Sequence, residues 1–332
     1  MENRSFNWTK LKVIMSLFVL IDVILLSVIF SLFSPLAKGD VGENVTVSTY
    51  LNVGEVSPEL LNVSIQGDAA SVTLIANDTK IVSCVGLARD WNNDTDITSA
   101  NAEFFDTVAS SYGGGDDNNE HYTNDSCNIN YSFVSWNGIS DNNYTALVNC
   151  TYKVHYYANP QNWNCTMVVN DSIDWTDIGS DNISISQLLA VGLPDSINYG
   201  TVNATSVSNE NITNVTNYGN VDLNLSLSGY AVNVGDGNAM NCTLGTLKNI
   251  SIEYEKYNLT TSIPGVLTLS EFESNYTNLT ESPVVNGFDL DYRQDDSVNN
   301  AKNETYWRIY VPEGVAGTCS GNIVFGATTA GP

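Results

Sequence analysis

Oxygen-bearing side chains fall at every second position of Asp90-Trp91-Asn92-Asn93-Asp94-Thr95-Asp96, the spacing with which a loop wraps a hard cation. Asp90, Asn92, Asp94 and Asp96 are therefore candidate ligands for a structural calcium ion. The loop has neither the central Gly nor the distal bidentate Glu of an EF-hand, so a plain acidic turn competes with that reading. Imidazole chemistry is restricted to His121 and His155. His155 sits out of phase with Cys150, Tyr152, Val154 and Tyr156, which places it on the outward face beside Lys153. No Gly-x-Ser-x-Gly, His-Glu-x-x-His or phosphate-binding loop occurs. A glycosidase pair would need two of the 37 acidic residues about 5–9.5 Å apart in a cleft. The sequence thus predicts no catalytic residue, no cofactor other than calcium, and a protein that is not an enzyme.

Modification chemistry is far more abundant. With 43 Asn and 61 Ser or Thr among 332 residues, chance gives about 43 × 61/332, or 8, Asn-x-Ser/Thr triplets, and the chain has 23. All but Asn3 and Asn7 follow the N-terminal apolar run. Candidate glycosylation sites include Asn44, Asn62, Asn77, Asn93, Asn124, Asn143, Asn182, Asn211, Asn224, Asn249, Asn258, Asn275 and Asn303. Their phase is informative: Val221, Leu223, Leu225 and Leu227 form one strand face and leave Asn224 on the other. Asn44, Asn62, Asn182 and Asn249 likewise oppose their apolar neighbours, so glycans there would project to solvent.

Glycosylation requires export, and the N-terminus supplies the means. Arg4, Lys10 and Lys12 precede Val13 to Phe33, an apolar stretch of 21 residues interrupted by Asp22 and three serines. It exceeds the roughly 7–15 residues of a cleaved signal core and reaches the roughly 20 that span a bilayer. Pro35 and the small residues around Ala37-Lys38-Gly39 favour cleavage, so retained membrane anchor and removed signal both stand. Either way the remainder lies outside the cytoplasm, at the cell surface or secreted. Lys and Arg total 12 against 37 Asp and Glu, a net charge of −25 with no basic block, which excludes nucleic acid as a partner.

These groups must be carried by strands. NVTVSTYL, SVTLIAN, KIVSCVGLA, YTALVNCTYKVHYY, NCTMVV, NISISQLL, VDLNLSLSG, NISIEYEKY, TYWRIYVP and GNIVFGA are short and mostly alternating, separated by Gly, Asn and Asp clusters. The fold expected is all-β: two tandem β-sandwich, immunoglobulin-like domains after an N-terminal hydrophobic helix. A short helix at Ser99 to Val108 would fit alongside. The divisions read as 1–39, signal or transmembrane anchor; 40–66, an extended N-terminal strand segment; 67–178, the first sandwich; and 179–332, the second. Phase places Tyr157 and Tyr257 on outward faces.

Cys84, Cys127, Cys150 and Cys165 fall in the first domain and Cys242 and Cys319 in the second, even numbers that imply disulfides in an exported chain. Cys242–Cys319 follows from the division. Four cysteines allow three connectivities, of which Cys84–Cys165 with Cys127–Cys150 pairs two inward strand residues and ties a loop to its neighbour.

KIVSCVGLARDWN, followed by LVNCTYKVHYYANPQNWNCTMVVND with Tyr156, Tyr157, Ala158, Asn159, Pro160, Trp163 and Cys165, resembles an immunoglobulin-like module of exported archaeal surface proteins. INYGTVN, NVTNYGNVDLNLSLSG and TYWRIYVPEGVAGTCSGNIVFGA resemble the terminal sandwich of such proteins and, distantly, TasA-type fibre subunits. The resemblance covers most of residues 67–332 and transfers no catalytic residue. It implies a surface glycoprotein. The role expected of such a chain is structural or adhesive, with other surface proteins, further copies of itself or glycans as partners; assembly into filaments by strand addition of residues 41–52 is one form, and a carbohydrate-binding or adhesin module is the alternative.

Overall fold

The computed structural model describes residues 47–294, 296 and 301–330. The leader at 1–39 and Asn44 lie outside the described residues. Among those residues no helix is long and apolar enough to cross a membrane.

Alternating apolar and polar residues give strands through both halves of the chain. The first half forms β1 (Glu59–Ile65), β2 (Ser71–Val72), β3 (Thr79–Arg89), β4 (Ser99–Asp106), β5 (His121–Asn124), β6 (Asn128–Asn130), β7 (Ser135–Trp136), β8 (Ile139–Ser140), β9 (Thr145–His155), β10 (Asn162–Asn170) and β11 (Thr176–Ile185). The second forms β12 (Val191–Gly192), β13 (Ser206–Val207), β14 (Asn211–Asn217), β15 (Leu223–Tyr230), β16 (Asn238–Gly245), β17 (Asn249–Ser251), β18 (Glu255–Asn258), the helix α1 (Leu269–Asn275), β19 (Thr277–Asn278), β20 (Val284–Leu290), β21 (Lys302–Val311), β22 (Val315–Ser320) and β23 (Asn322–Thr329). The chain is all-β, as its alternation requires.

In the first sandwich the sheet β1-β3-β9-β6 faces the sheet β2-β11-β10-β4-β5. Every second residue of β3, β9, β4 and β10 points between them, and Val82, Val148, Phe104, Trp163 and Met167 are fully buried. The Phe104 and Trp163 rings meet at 4.8 Å. Cys84 on β3 bonds Cys165 on β10 and so crosses from sheet to sheet. Cys150 lies directly opposite Cys84 on the neighbouring strand and bonds Cys127, so the two disulfides stand side by side.

In the second sandwich β12-β14-β21-β18-β19, with β13 also on β21, packs against β20-β15-β23, which β17-β16-β22 continues. Leu223, Leu225 and Leu227 of β15 bury against Trp307, Tyr257 and Phe288. Cys242 and Cys319 are cross-strand partners on β16 and β22 and are bonded to each other. Three disulfides among the described residues, with no free cysteine, belong in an oxidising compartment.

Three sequence expectations change. Ser99–Asp106 is a strand, not a helix: Ala100, Ala102 and Phe104 are buried with period two, and ladders to β10 and β5 override the helix-forming Ala and Glu. β1 pairs with β3 inside the first sandwich, and β11 runs on along β10 to Ile185. Tyr157 is buried, not outward, because β9 ends at His155 and the chain then turns it into the junction between the sandwiches. There its hydroxyl donates to Asp296 Oδ1 at 2.9 Å under the Arg293 guanidinium. Tyr257 is buried against Trp307, since a 3₁₀ turn at Ile252–Tyr254 breaks the alternation between β17 and β18 and inverts its phase.

The same junction is closed by buried amides. Asn220, fully buried, donates from Nδ2 to the carbonyls of Ala158 and Ser186 and accepts from Leu188 N–H. Asn119 donates to the carbonyls of Tyr157 and Arg293.

Candidate functional site

The acidic loop is built as a clamp. Asn92 accepts from Val56 N–H at 2.8 Å and donates to the Gly54 carbonyl at 2.7 Å, and Asp90 Oδ1 accepts from Asn92 N–H. Asn93 caps a single 3₁₀ turn over Asp94–Asp96. Burial raises the Asp90 carboxyl above its usual range, and the charges of Asp96 and Asp171 push the same way. No group of three or more His, Cys, Asp or Glu side chains among the described residues is placed to hold a metal ion. Asp90 and Asp94 are buried, and Asn92 and Asp96 are half-buried.

The two histidines occupy different surroundings. His155 is half-buried against the Tyr157 ring, and desolvation lowers its pKa. His121 is fully buried, with Nδ1 at 2.9 Å from Ser110 Oγ. Glu103 Oε2 stands 3.4 Å from Nε2 but off the N–H direction, and Nε2 has no hydrogen-bond partner among the described residues. A β-carbon at Gly114 would come within 2.7 Å of Ser110 Oγ and 2.8 Å of His121 Nδ1, so the glycine-rich loop lies on the pair and shuts off that approach.

None of the twelve described candidate Asn residues is buried. Asn62, Asn77, Asn93, Asn143, Asn182, Asn249, Asn275 and Asn303 are exposed, and Asn124, Asn211, Asn224 and Asn258 half-exposed. Asn224 does face away from the leucines of β15, but its Oδ1 accepts from Phe288 and Asp289 N–H and so braces β20.

The arrangement with most capacity for recognition is one that strand phase alone did not reveal. β22 and β23 follow one another with only Gly321 between, and among the described residues each is the last strand of its sheet, paired on one side only by β16 and β15. Residues 315–329 thus form one long edge. Beside it runs the irregular segment 193–204, which makes no ladder with that edge and leaves two clefts. One, of about 260 Å³, lies between Leu193–Ile197 and Gly321–Phe325 over Glu255. The other, of about 570 Å³, lies between Ser196–Ala204 and Val315–Cys319, with Met240, Ile250, Ile309 and Val311 as an apolar floor. Ile197 and Tyr199 of the segment dip toward the core, and Tyr199 OH donates to Glu255 Oε1 at 2.8 Å. An unpaired edge is the usual place for an added strand.

Glu255 gives this region a pH dependence. Burial pushes its carboxyl from 4.5 up to about 7, against the lowering effect of the Tyr199 hydroxyl. The folded chain then holds a proton that the unfolded chain has released, so this group's contribution to stability falls as pH rises from about 4.5 to about 7 and is constant above. The difference corresponds to about 3 kcal/mol. Glu255→Gln should therefore gain about that much stability relative to the parent between pH 4 and pH 8, read from denaturant midpoints at both values. A parent–variant difference that does not move with pH contradicts the assignment.

No protein-family model matches the chain, and no curated protein matches it. Among solved structures it is similar to a chaperone–tip adhesin complex of CFA/I fimbriae biogenesis, at 10% identity and a TM-score of 0.27 over 81% of this chain and 84% of that one. It is also similar to Escherichia coli alpha-2-macroglobulin activated by porcine elastase, at 7% identity and a TM-score of 0.23 over 80% of this chain and 22% of that one. Superpositions this loose carry no argument about the present chain.

Proposed function

We propose that the chain is a non-enzymatic, exported surface glycoprotein with a structural or adhesive role, and that its second sandwich accepts an added strand from residues 41–52 of another copy. The observation that carries this reading is the unpaired edge at 315–329, covered only by a segment that does not ladder with it. A matching donor is present. Val45, Val47, Leu51 and Val53 share one phase, residues 47–53 form no strand, and Val47, Leu51 and Val53 are exposed. The 23 sequons, the outward placement of the described ones and the resemblance to archaeal surface modules and TasA-type subunits support the remainder.

Expression of residues 40–332 in an exporting host tests it, with light scattering and electron microscopy as readouts. Polymers are expected, favoured by salt or calcium because a charge of −25 opposes self-association. Removing residues 41–52 should abolish them and leave a folded monomer. Polymers that persist without the segment overturn strand addition, and a monomer in every condition overturns assembly.

A further inference from the structure

We infer that Trp91 and Tyr144 form a stacking platform for the first sugar of an N-linked glycan on Asn93. The inference rests on the reading that the sequons carry glycans and identifies where one of them would touch the fold.

Large aromatic side chains on a surface normally lie loosely, but these two are fixed. Trp91 is 51% exposed and Tyr144 41%, with ring centroids 5.6 Å apart and planes tilted by 47°. The Arg89 guanidinium sits 4.4 Å from the Trp91 ring centre and is itself held by Glu59, whose Oε2 accepts from Arg89 Nε at 3.1 Å. It lies over the indole, which remains 51% exposed and so has surface open to a further partner. The two loops are joined through the backbone, Asp90 N–H to the Tyr144 carbonyl at 2.8 Å and Asp94 N–H to the Asn143 carbonyl at 2.9 Å. Asn92 fastens the first loop to Gly54 and Val56. A ring already immobilised loses little freedom when something stacks on it.

The adjoining sequon fits that partner. Asn93 is exposed and lies two residues beyond Trp91, so their Cα atoms are at most about 7 Å apart, within reach of a first sugar ring. Its Oδ1 accepts from Thr95 N–H and Oγ1–H, which fixes the side chain, while Nδ2, the atom of attachment, makes no hydrogen bond among the described residues. By contrast Asn124, Asn211, Asn258 and Asn275 donate from Nδ2 to backbone carbonyls. A pyranose has an apolar C–H face and a polar rim, and the exposed indole offers the complementary surface: an apolar face with a partial negative charge.

The test uses residues 40–332 from a host that installs N-glycans, with glycopeptide mass spectrometry at Asn93 and thermal unfolding of the parent, Asn93→Gln, Trp91→Ala and the double variant. Asn93→Gln should lower the melting temperature by about 2–4 °C when Trp91 is present. In the W91A background it should have almost no effect, and Trp91→Leu should behave like Trp91→Ala. An unoccupied Asn93 overturns the inference at its premise. An occupied Asn93 with equal shifts in both backgrounds overturns the stacking alone and leaves glycosylation standing. Quenching of Trp91 emission when free N,N′-diacetylchitobiose is added to the Asn93→Gln protein, without coupling in the cycle, would make the pair a site for a foreign glycan and overturn the assignment to the chain's own.

Discussion

Replacing Cys84 and Cys165 together by Ala should lower the stability of the first sandwich by about 4 to 5 kcal/mol, the size expected when a loop of 81 residues is no longer closed in the unfolded chain. Both residues are fully buried, and their bond is the one that ties the two sheets of this sandwich through its centre. The pair must be changed together. Cys84 faces Cys150 across the ladder, so replacing Cys165 alone would leave a free Cys84 beside the Cys127–Cys150 bond and invite exchange. Cys242–Cys319 is the control, because it closes a loop of 77 residues yet lies between adjacent strands of one sheet, with Cys319 half-exposed. If chain entropy dominates, the two losses should be alike; if packing contributes, the first should be larger. Urea midpoints followed by circular dichroism decide this, and a loss below about 1 kcal/mol at Cys84–Cys165 would refute the prediction.

The all-β architecture was legible because β15, β9 and β10 alternate along most of their length, and each buries the apolar residues its phase selects. Phase failed where a strand stopped or slipped. Tyr157 lies two residues past the end of β9, and Tyr257 follows a 3₁₀ turn that reverses inside and outside. Both errors came from extending a period of two across a break that local composition does not mark. The acidic loop shows the opposite limit: the alternation at Asp90–Asp96 is real, but Asn92 is spent on the 54–56 backbone, a contact 36 residues away in sequence that no local spacing predicts. The edge at 315–329 was invisible for a related reason. Whether a strand has one neighbour or two depends on pairing order, and GNIVFGA reads the same in either position.

Arg308 carries the last of these lessons and the second large effect. Trp307 and Ile309 point inward, so phase puts Arg308 on the outer face of β21, where a cation would ordinarily be solvated. It is instead fully buried, because the segment from Thr260 to Tyr276, including α1, lies across that face. Its Nη atoms donate to the carbonyls of Ser208, Ile263 and Gly265, and Nε donates to Tyr276 OH. Tyr276 in turn donates to Glu210. Burial would raise Glu210, but hydrogen bonds from Ser262, Tyr276 and Ile263 and the Arg308 charge outweigh it and hold the carboxyl below its ordinary range. The guanidinium thus satisfies three carbonyls and balances one carboxylate at a distance. Arg308→Met would fill much of the volume but leave all of them without a donor or counter-charge, at a cost of about 3–5 kcal/mol. Lys256, its cross-strand neighbour, is also buried but binds the exposed Glu273, which can return to water, so Lys256→Met should cost less. The readouts are the denaturation midpoint and limited proteolysis, with new cuts expected between residues 260 and 276. Unchanged protection of that segment in Arg308→Met would show that α1 is held by Phe272 in the core rather than by the cation beneath it.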